Sequence, residues 1–232
     1  MKTKVLITLA FFLVLLGWAI PAKAVPILDF NMDALHPATA KISYAGGALP
    51  LIGVDISVDT VIGIATPLNS GVILTLSPPP FHGTLSFMTG GLTGSTATTW
   101  DFGPGGSILV TGGIPALGLV NGTLLLSGVW TSATVISLTN TFKIAGGAFV
   151  DTKNSTLLTY YGLPGGAYSG TMNLQFEIPK PGVTPPAAFA SSQVLSGDIT
   201  NTPTPVAEAS IILFMGAGLV GIWGFRKRFI KR

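Results

Sequence analysis

Two histidines, nine acidic residues and no cysteine are the whole stock from which this chain could build a reactive site. A Ser-His-Asp arrangement needs an imidazole held by a carboxylate beside a hydroxyl. The histidines are His36, next to Pro37 in an N-terminal loop region, and His82, shortly after Pro78, Pro79 and Pro80; no GxSxG elbow occurs. Two histidines 46 positions apart, with no thiol to join them, make a poor zinc set. The absence of cysteine excludes thiol chemistry and disulfide staples alike.

The remaining acids outside the C-terminal stretch are Asp29, Asp33, Asp55, Asp59, Asp101, Asp151, Glu177 and Asp198. Glycoside hydrolysis needs two carboxyls about 5–10 Å apart, and spacing along a β-rich chain does not single out a pair. Asp55-Ile56-Ser57-Val58-Asp59 places two carboxylates on one face of an alternating strand, where a solvent-facing edge is the ordinary outcome. A hard cation such as Ca²⁺ would be the functional one, with Asp55 and Asp59 as the oxygen donors. Trp100 and Trp130 each sit in a β run, where an aromatic is core or a platform for a sugar ring, with Tyr160 and Tyr161 behind them. No catalytic residue and no cofactor is assigned, and the chain is expected not to be an enzyme.

The elements that must position these residues read as strands. Gly, Thr, Ser and β-branched residues dominate, and charged residues are 9% of the chain, a composition that suits an all-β domain with a quiet surface. Alternating runs are expected over 40–44, 53–57, 71–76, 83–88, 98–102, 107–111, 122–129, 134–138, 142–145, 148–151, 170–178 and 192–200. The alternation is strictest in Thr171–Ile178, which points Met172, Leu174, Phe176 and Ile178 at a core. Gly-Gly pairs at 46, 90, 105, 112, 146 and 165 read as turns of one domain, since their separations are irregular. Asn121-Gly122-Thr123 and Asn154-Ser155-Thr156 match glycosylation sequons and also read as turns. The fold expected is an antiparallel β-sandwich of jelly-roll type.

Both ends of the sequence carry an address. Lys2 and Lys4 precede an apolar run from Val5 to Ile20, and Pro21, Ala22, Lys23, Ala24 form a small-residue cleavage site with Ala22 and Ala24 in its key positions; residues 1–24 read as a secretory signal peptide. At the other end, residues 211–225 are uncharged and are followed by Arg226, Lys227, Arg228, Lys231 and Arg232. Counted from Val206 the apolar stretch is 20 residues, about 30 Å of helix and long enough to cross a bilayer, with the cations held on the cytoplasmic side. Gly216, Gly218 and Gly221 fit the GxGxxG spacing, but a nucleotide fingerprint needs a second strand and an acidic residue about 20 positions on, and only 11 residues follow Gly221. Without the two terminal segments, 12 − 8 = 4 cations and 9 − 1 = 8 acids remain, a net −4. An exported acidic domain carries no electrostatic footprint for nucleic acid.

The C-terminal stretch resembles the PEP-CTERM sorting signal: a short motif, a Gly-rich apolar span, then an Arg-rich segment. The motif is Val206, Ala207, Glu208, Ala209, Ser210, in which both prolines of the family's Pro-Glu-Pro are alanine. The blocks around Tyr44-Ala45-Gly46-Gly47, Leu85–Gly91, Leu126-Ser127-Gly128 and Ser196-Gly197-Asp198 look like ones in PEP-CTERM proteins. The resemblance implies a Gram-negative, exopolysaccharide-making cell and an exosortase as processing partner. Expected boundaries are a signal peptide at 1–24, a β domain at 25–200, a tether at 201–205, the sorting motif and transmembrane helix at 206–225, and a cytoplasmic tail at 226–232. The expected role is structural or adhesive, at the cell surface or in a biofilm matrix after processing, or on a single-pass membrane protein with its C-terminus cytoplasmic. The alternatives are a carbohydrate- or Ca²⁺-binding lectin-like module and, further off, a polysaccharide hydrolase.

Overall fold

The computed structural model describes residues 24–33, 36–76, 83–138, 141–179 and 182–204. His82, the triproline, Ala22 with the rest of the signal segment, and everything from Pro205 onward, including Val206–Ser210 and Arg226–Arg232, lie outside the described residues. Among those described, no helix is long and apolar enough to cross a membrane.

The domain is all antiparallel β. Its strands are β1 Ile27–Met32, β2 Lys41–Tyr44, β3 Pro50–Val58, β4 Thr60–Ile64, β5 Ile73–Thr75, β6 Gly83–Ser95, β7 Thr99–Phe102, β8 Gly105–Ile114, β9 Leu119–Ser137, β10 Thr141–Lys153, β11 Tyr168–Glu177, β12 Phe189–Ala190 and β13 Gln193–Pro203; the helix α1 is Ser155–Tyr161. All thirteen strands join one sheet in the order β12-β2-β3-β6-β7-β9-β10-β11-β13-β1-β4-β5, with β8 between β6 and β9. Register shows how β8 fits. β6 faces Phe102 with Leu92 and Ser107 with Met88, while β9 faces Phe102 with Ala133 and Gly105 with Trp130. Thus β7 and β8 run in line as one path between β6 and β9, broken by a bulge at Gly103–Gly106.

The sheet curls back on itself. Only Asp59 separates β3 from β4, which stand third and eleventh in the order, and only Ser191 and Ser192 separate β12 from β13, first and ninth. Such short links force the two ends of the sheet together. Backbone bonds seal the join: Asp59 N–H donates to Asn31 O at 2.9 Å, and Ser191 and Ser192 N–H donate to Ile42 O and Glu177 O at 2.8 and 2.9 Å. Phe189 on β12 consequently packs on Trp100, Phe142, Phe176 and Tyr44 with ring centroids 5.0–5.9 Å apart. A second cluster joins Phe87, Trp130 and Phe149. Met172, Leu174 and Phe176 are fully buried and Ile178 packs partly against them, as the alternation of β11 demands.

Several expectations need correction. The pairs Gly46–Gly47 and Gly165–Gly166 are turns, but Gly90–Gly91, Gly105–Gly106, Gly112–Gly113 and Gly146–Gly147 lie inside strands. A side chain at Gly90 would collide with the Pro104 carbonyl and one at Gly106 with the Met88 carbonyl, so those glycines let two backbones close in at the bulge. The expected strand pairs 122–129 with 134–138, and 142–145 with 148–151, are each one long strand, β9 and β10. β1 and β4 are additional strands, and Leu28, Phe30 and Met32 supply the buried alternation of β1. Asn154 is a helix cap rather than a plain turn: its carboxamide oxygen accepts from Thr156 N–H at 3.0 Å, and Gly162 ends α1 in the left-handed region. The tether expected at 201–205 is mostly strand, because Asn201, Thr202 and Pro203 pair with Gly170, Ser169 and Tyr168, and Thr204 N–H donates to Ala167 O.

Candidate functional site: an uncharged sheet face

The sequence-expected residues do not converge. Asp55 sits in the left-handed region at φ 53°, in the β-bulge where the register of β3 against β6 shifts between Gly53 and Ile56. Beyond the bulge Ile56, Ser57 and Val58 are all buried, while Asp55 itself is exposed. Asp59 Oδ2 accepts from Asp33 N–H at 2.8 Å, closing the corner between β1 and β4. Among the described residues no group of three or more His, Asp or Glu stands close enough to hold a metal ion. Asp101 accepts from the Thr134 hydroxyl at 2.8 Å on the neighbouring strand. His36 is a tied rather than a solvated residue, its Nδ1 accepting from Ser57 N–H at 3.1 Å. Trp100 and Trp130 are 0% and 1% exposed and cannot stack on a sugar; their indole N–H groups donate to Ala187 O and Ser107 O, both at 3.1 Å. Tyr161 is buried too, donating to Val61 O and Val72 O.

Among the described residues, burial shifts the carboxylates and the lysine of two places on the sheet. Asp151 and Lys153 project inward from β10, fully buried and ion-paired, with Lys153 Nζ 4.3 Å from the centre of the Tyr168 ring. Burial pushes Asp151 up and Lys153 down to about 8, and each is pulled back by its partner's charge. Asp29 on β1 is pushed up from 3.8 to about 6, by burial first and by the Asp198 carboxylate second. The folded state therefore holds the Asp29 proton more tightly than the unfolded chain does. The stability this confers is fully present below the unfolded value of 3.8 and is lost as pH rises through about 6. Urea midpoints measured across that window should fall with rising pH more steeply for the native chain than for Asp29→Asn; equal slopes would refute the assignment.

The sheet's outer face has a composition that only the register reveals. Across β3, β6 and β8 one row runs Ile52, Met88, Ser107, and across β9, β10, β11 and β13 another runs Val129, Val150, Ser169, Thr202. The next row is Ser86, Leu109, Ser127, Thr152 and the next Thr84, Thr111, Leu124. No residue in these rows is charged. Ile52, Met88, Leu109, Leu124, Val129 and Val150 are all exposed, between 37% and 53%. Aliphatic groups thus alternate with hydroxyls over the broad middle of the sheet. Sequence reasoning missed this face, although Thr84-Leu85-Ser86-Phe87-Met88 carries its period-two signal.

An open cleft of about 370 Å³ lies beside α1, lined by Leu117, Ser155, Thr156, Thr159 and Tyr160. The helix is there because Leu157, Leu158 and Tyr161 bury one side of it, which leaves Ser155, Thr156 and Thr159 outside. Three hydroxyls beside a half-exposed phenol make a neutral, interfacial surface.

Fold and surface together define an antiparallel β domain with uncharged, hydroxyl-bearing rows exposed across β6, β8, β9 and β10. The chain matches no known protein family, no curated protein and no solved structure.

Proposed function

We propose that this is an exported surface protein, held on a membrane or sorted by an exosortase acting at Val206–Ser210, whose β body has a structural or adhesive role in the envelope or the extracellular polysaccharide matrix. The curled sheet is of the β-sandwich, jelly-roll-like kind, and the protein works as a binding or scaffolding body rather than as an enzyme. The observation that carries the reading is the set of uncharged rows across β6, β8, β9 and β10, from Met88–Ser107 to Thr84–Thr111–Leu124 and from Val129–Val150 to Ser127–Thr152. Neutral polysaccharide presents hydroxyls beside C–H faces, and a pleated surface of Ser and Thr between Val, Leu, Ile and Met complements both without desolvating a charge.

The test is co-sedimentation of the full chain in detergent with insoluble neutral polysaccharide. Binding should survive a change from about 0.05 to about 0.5 M NaCl, because the rows that would contact the polymer carry no charge for salt to screen. Leu109→Asp, at an exposed strand position, should weaken it about tenfold, by seating a carboxylate that must be desolvated in the complex. Binding that collapses with salt, or that ignores Leu109→Asp, would remove the reading.

A further inference from the structure

We infer that the end of the domain bearing α1 and the 64–73 segment is a membrane-apposed face that rests on the lipid headgroups. The inference rests on the membrane-held reading above and adds an orientation to it. β1 and β13 are antiparallel neighbours with Leu28 opposite Asn201, so β1 begins at the end where β13 finishes. The apolar run of residues 5–20 and the apolar stretch of residues 206–225 therefore both adjoin this one end in sequence, whichever of them is retained. Thr204 is still bonded to Ala167, which leaves Pro205 alone between the sheet and Val206. A domain so joined to a spanning segment has no length of linker with which to stand away from a bilayer.

The surface at this end fits that neighbour. Ile27 pairs with Ile64, and the loop that follows packs on the helix: Leu68 N–H donates to Tyr161 O and the Asn69 amide to Tyr160 O. Val25, Ile64, Leu68, Val72 and Ile73 are 40–61% exposed here. Residues 61–76 and 154–168 contain no charged side chain. Among the described residues, the charge nearby is the buried Asp151–Lys153 pair and the partly buried Asp29. By contrast Asp33, Asp59, Lys143, Glu177 and Asp198 occupy the far ends of the same strands or the corner beyond them. An end that is aliphatic, hydroxyl-rich and carries Tyr160 at its rim has the makeup of a surface seated at the headgroup level. An aqueous neighbour or a charged protein partner would favour the opposite arrangement.

Because the chain has no cysteine, single thiols introduced at Leu68→Cys, Ile73→Cys and Gln193→Cys can each be labelled with an environment-sensitive fluorophore. The labelled full chain is reconstituted in neutral phospholipid vesicles containing headgroup-nitroxide lipid. Fluorescence at positions 68 and 73 should fall about threefold, as for a group held at the interface, while position 193, at the far end of β13, should stay bright. Alkaline extraction of the same vesicles reports the anchor separately. A chain that resists alkali but shows no quenching at 68 and 73, or equal quenching at 193, overturns the orientation and leaves the anchor standing. A chain washed out by alkali overturns both.

Discussion

Trp130→Ala is expected to lower the stability of the domain by about 4 kcal/mol, the scale on which a buried tryptophan is lost when its cavity cannot collapse. Trp130 is 1% exposed and lies edge-on to both Phe87 and Phe149, at 5.5 and 5.4 Å. Those rings come from β6 and β10, on either side of the β8–β9 ladder, so no single strand can shift to fill the gap. The change also strips the Ser107 carbonyl of its indole donor. Urea unfolding followed by circular dichroism should show a lower midpoint with an unchanged slope. A loss below about 1 kcal/mol would mean that the aromatic cluster is not the keystone of this half of the sheet.

Asp151→Ala is the second large loss, about 3–5 kcal/mol, because it leaves the Lys153 ammonium buried without its counter-charge. The reciprocal change Lys153→Met strands the Asp151 carboxylate, whose Oδ2 is buried with no hydrogen-bond partner even in the intact pair. Replacing both, as Asp151→Leu with Lys153→Met, should cost far less than the sum of the single changes, since desolvation is then avoided on both sides. A double-mutant cycle in the same urea assay decides the matter. Additive losses would show that the two groups are solvated rather than paired. In the sequence Asp151 is one acid among eight and Lys153 carries no mark of its own, because the burial of both depends on how the sheet curls around β10.

What could be read in advance follows from the range of the physics. β11 was legible because strict alternation of Met172, Leu174 and Phe176 is a local property that the pleat enforces. β1 carried the same signal in Leu28, Phe30 and Met32, over only six residues. The glycine pairs misled because a bulge and a turn ask the same thing of the backbone, and only the partner strand decides which is present: Gly90 and Gly106 serve the close passage of β6 and the β7–β8 path. Helix α1 spans seven residues, too few to display a period of 3.6, though Asn154 and Gly162 were its boundary marks. Whether Trp100 and Trp130 faced water or core could not follow from their own strands. Nor could the uncharged face, whose rows exist only when β3, β6, β8, β9 and β10 are laid side by side.

The place of β13 has a mechanical consequence. It is an interior strand, paired with β11 from Tyr168↔Pro203 to Glu177↔Gln193 on one side and with β1 on the other. Tension entering at Thr204, with the body gripped on the face of β6, β8, β9 and β10, pulls β13 lengthwise between two neighbours. The rungs of both ladders are then loaded together, in shear, rather than opened one after another as at the rim of a sheet. On the surface role proposed above, that is the direction in which the domain resists strain best.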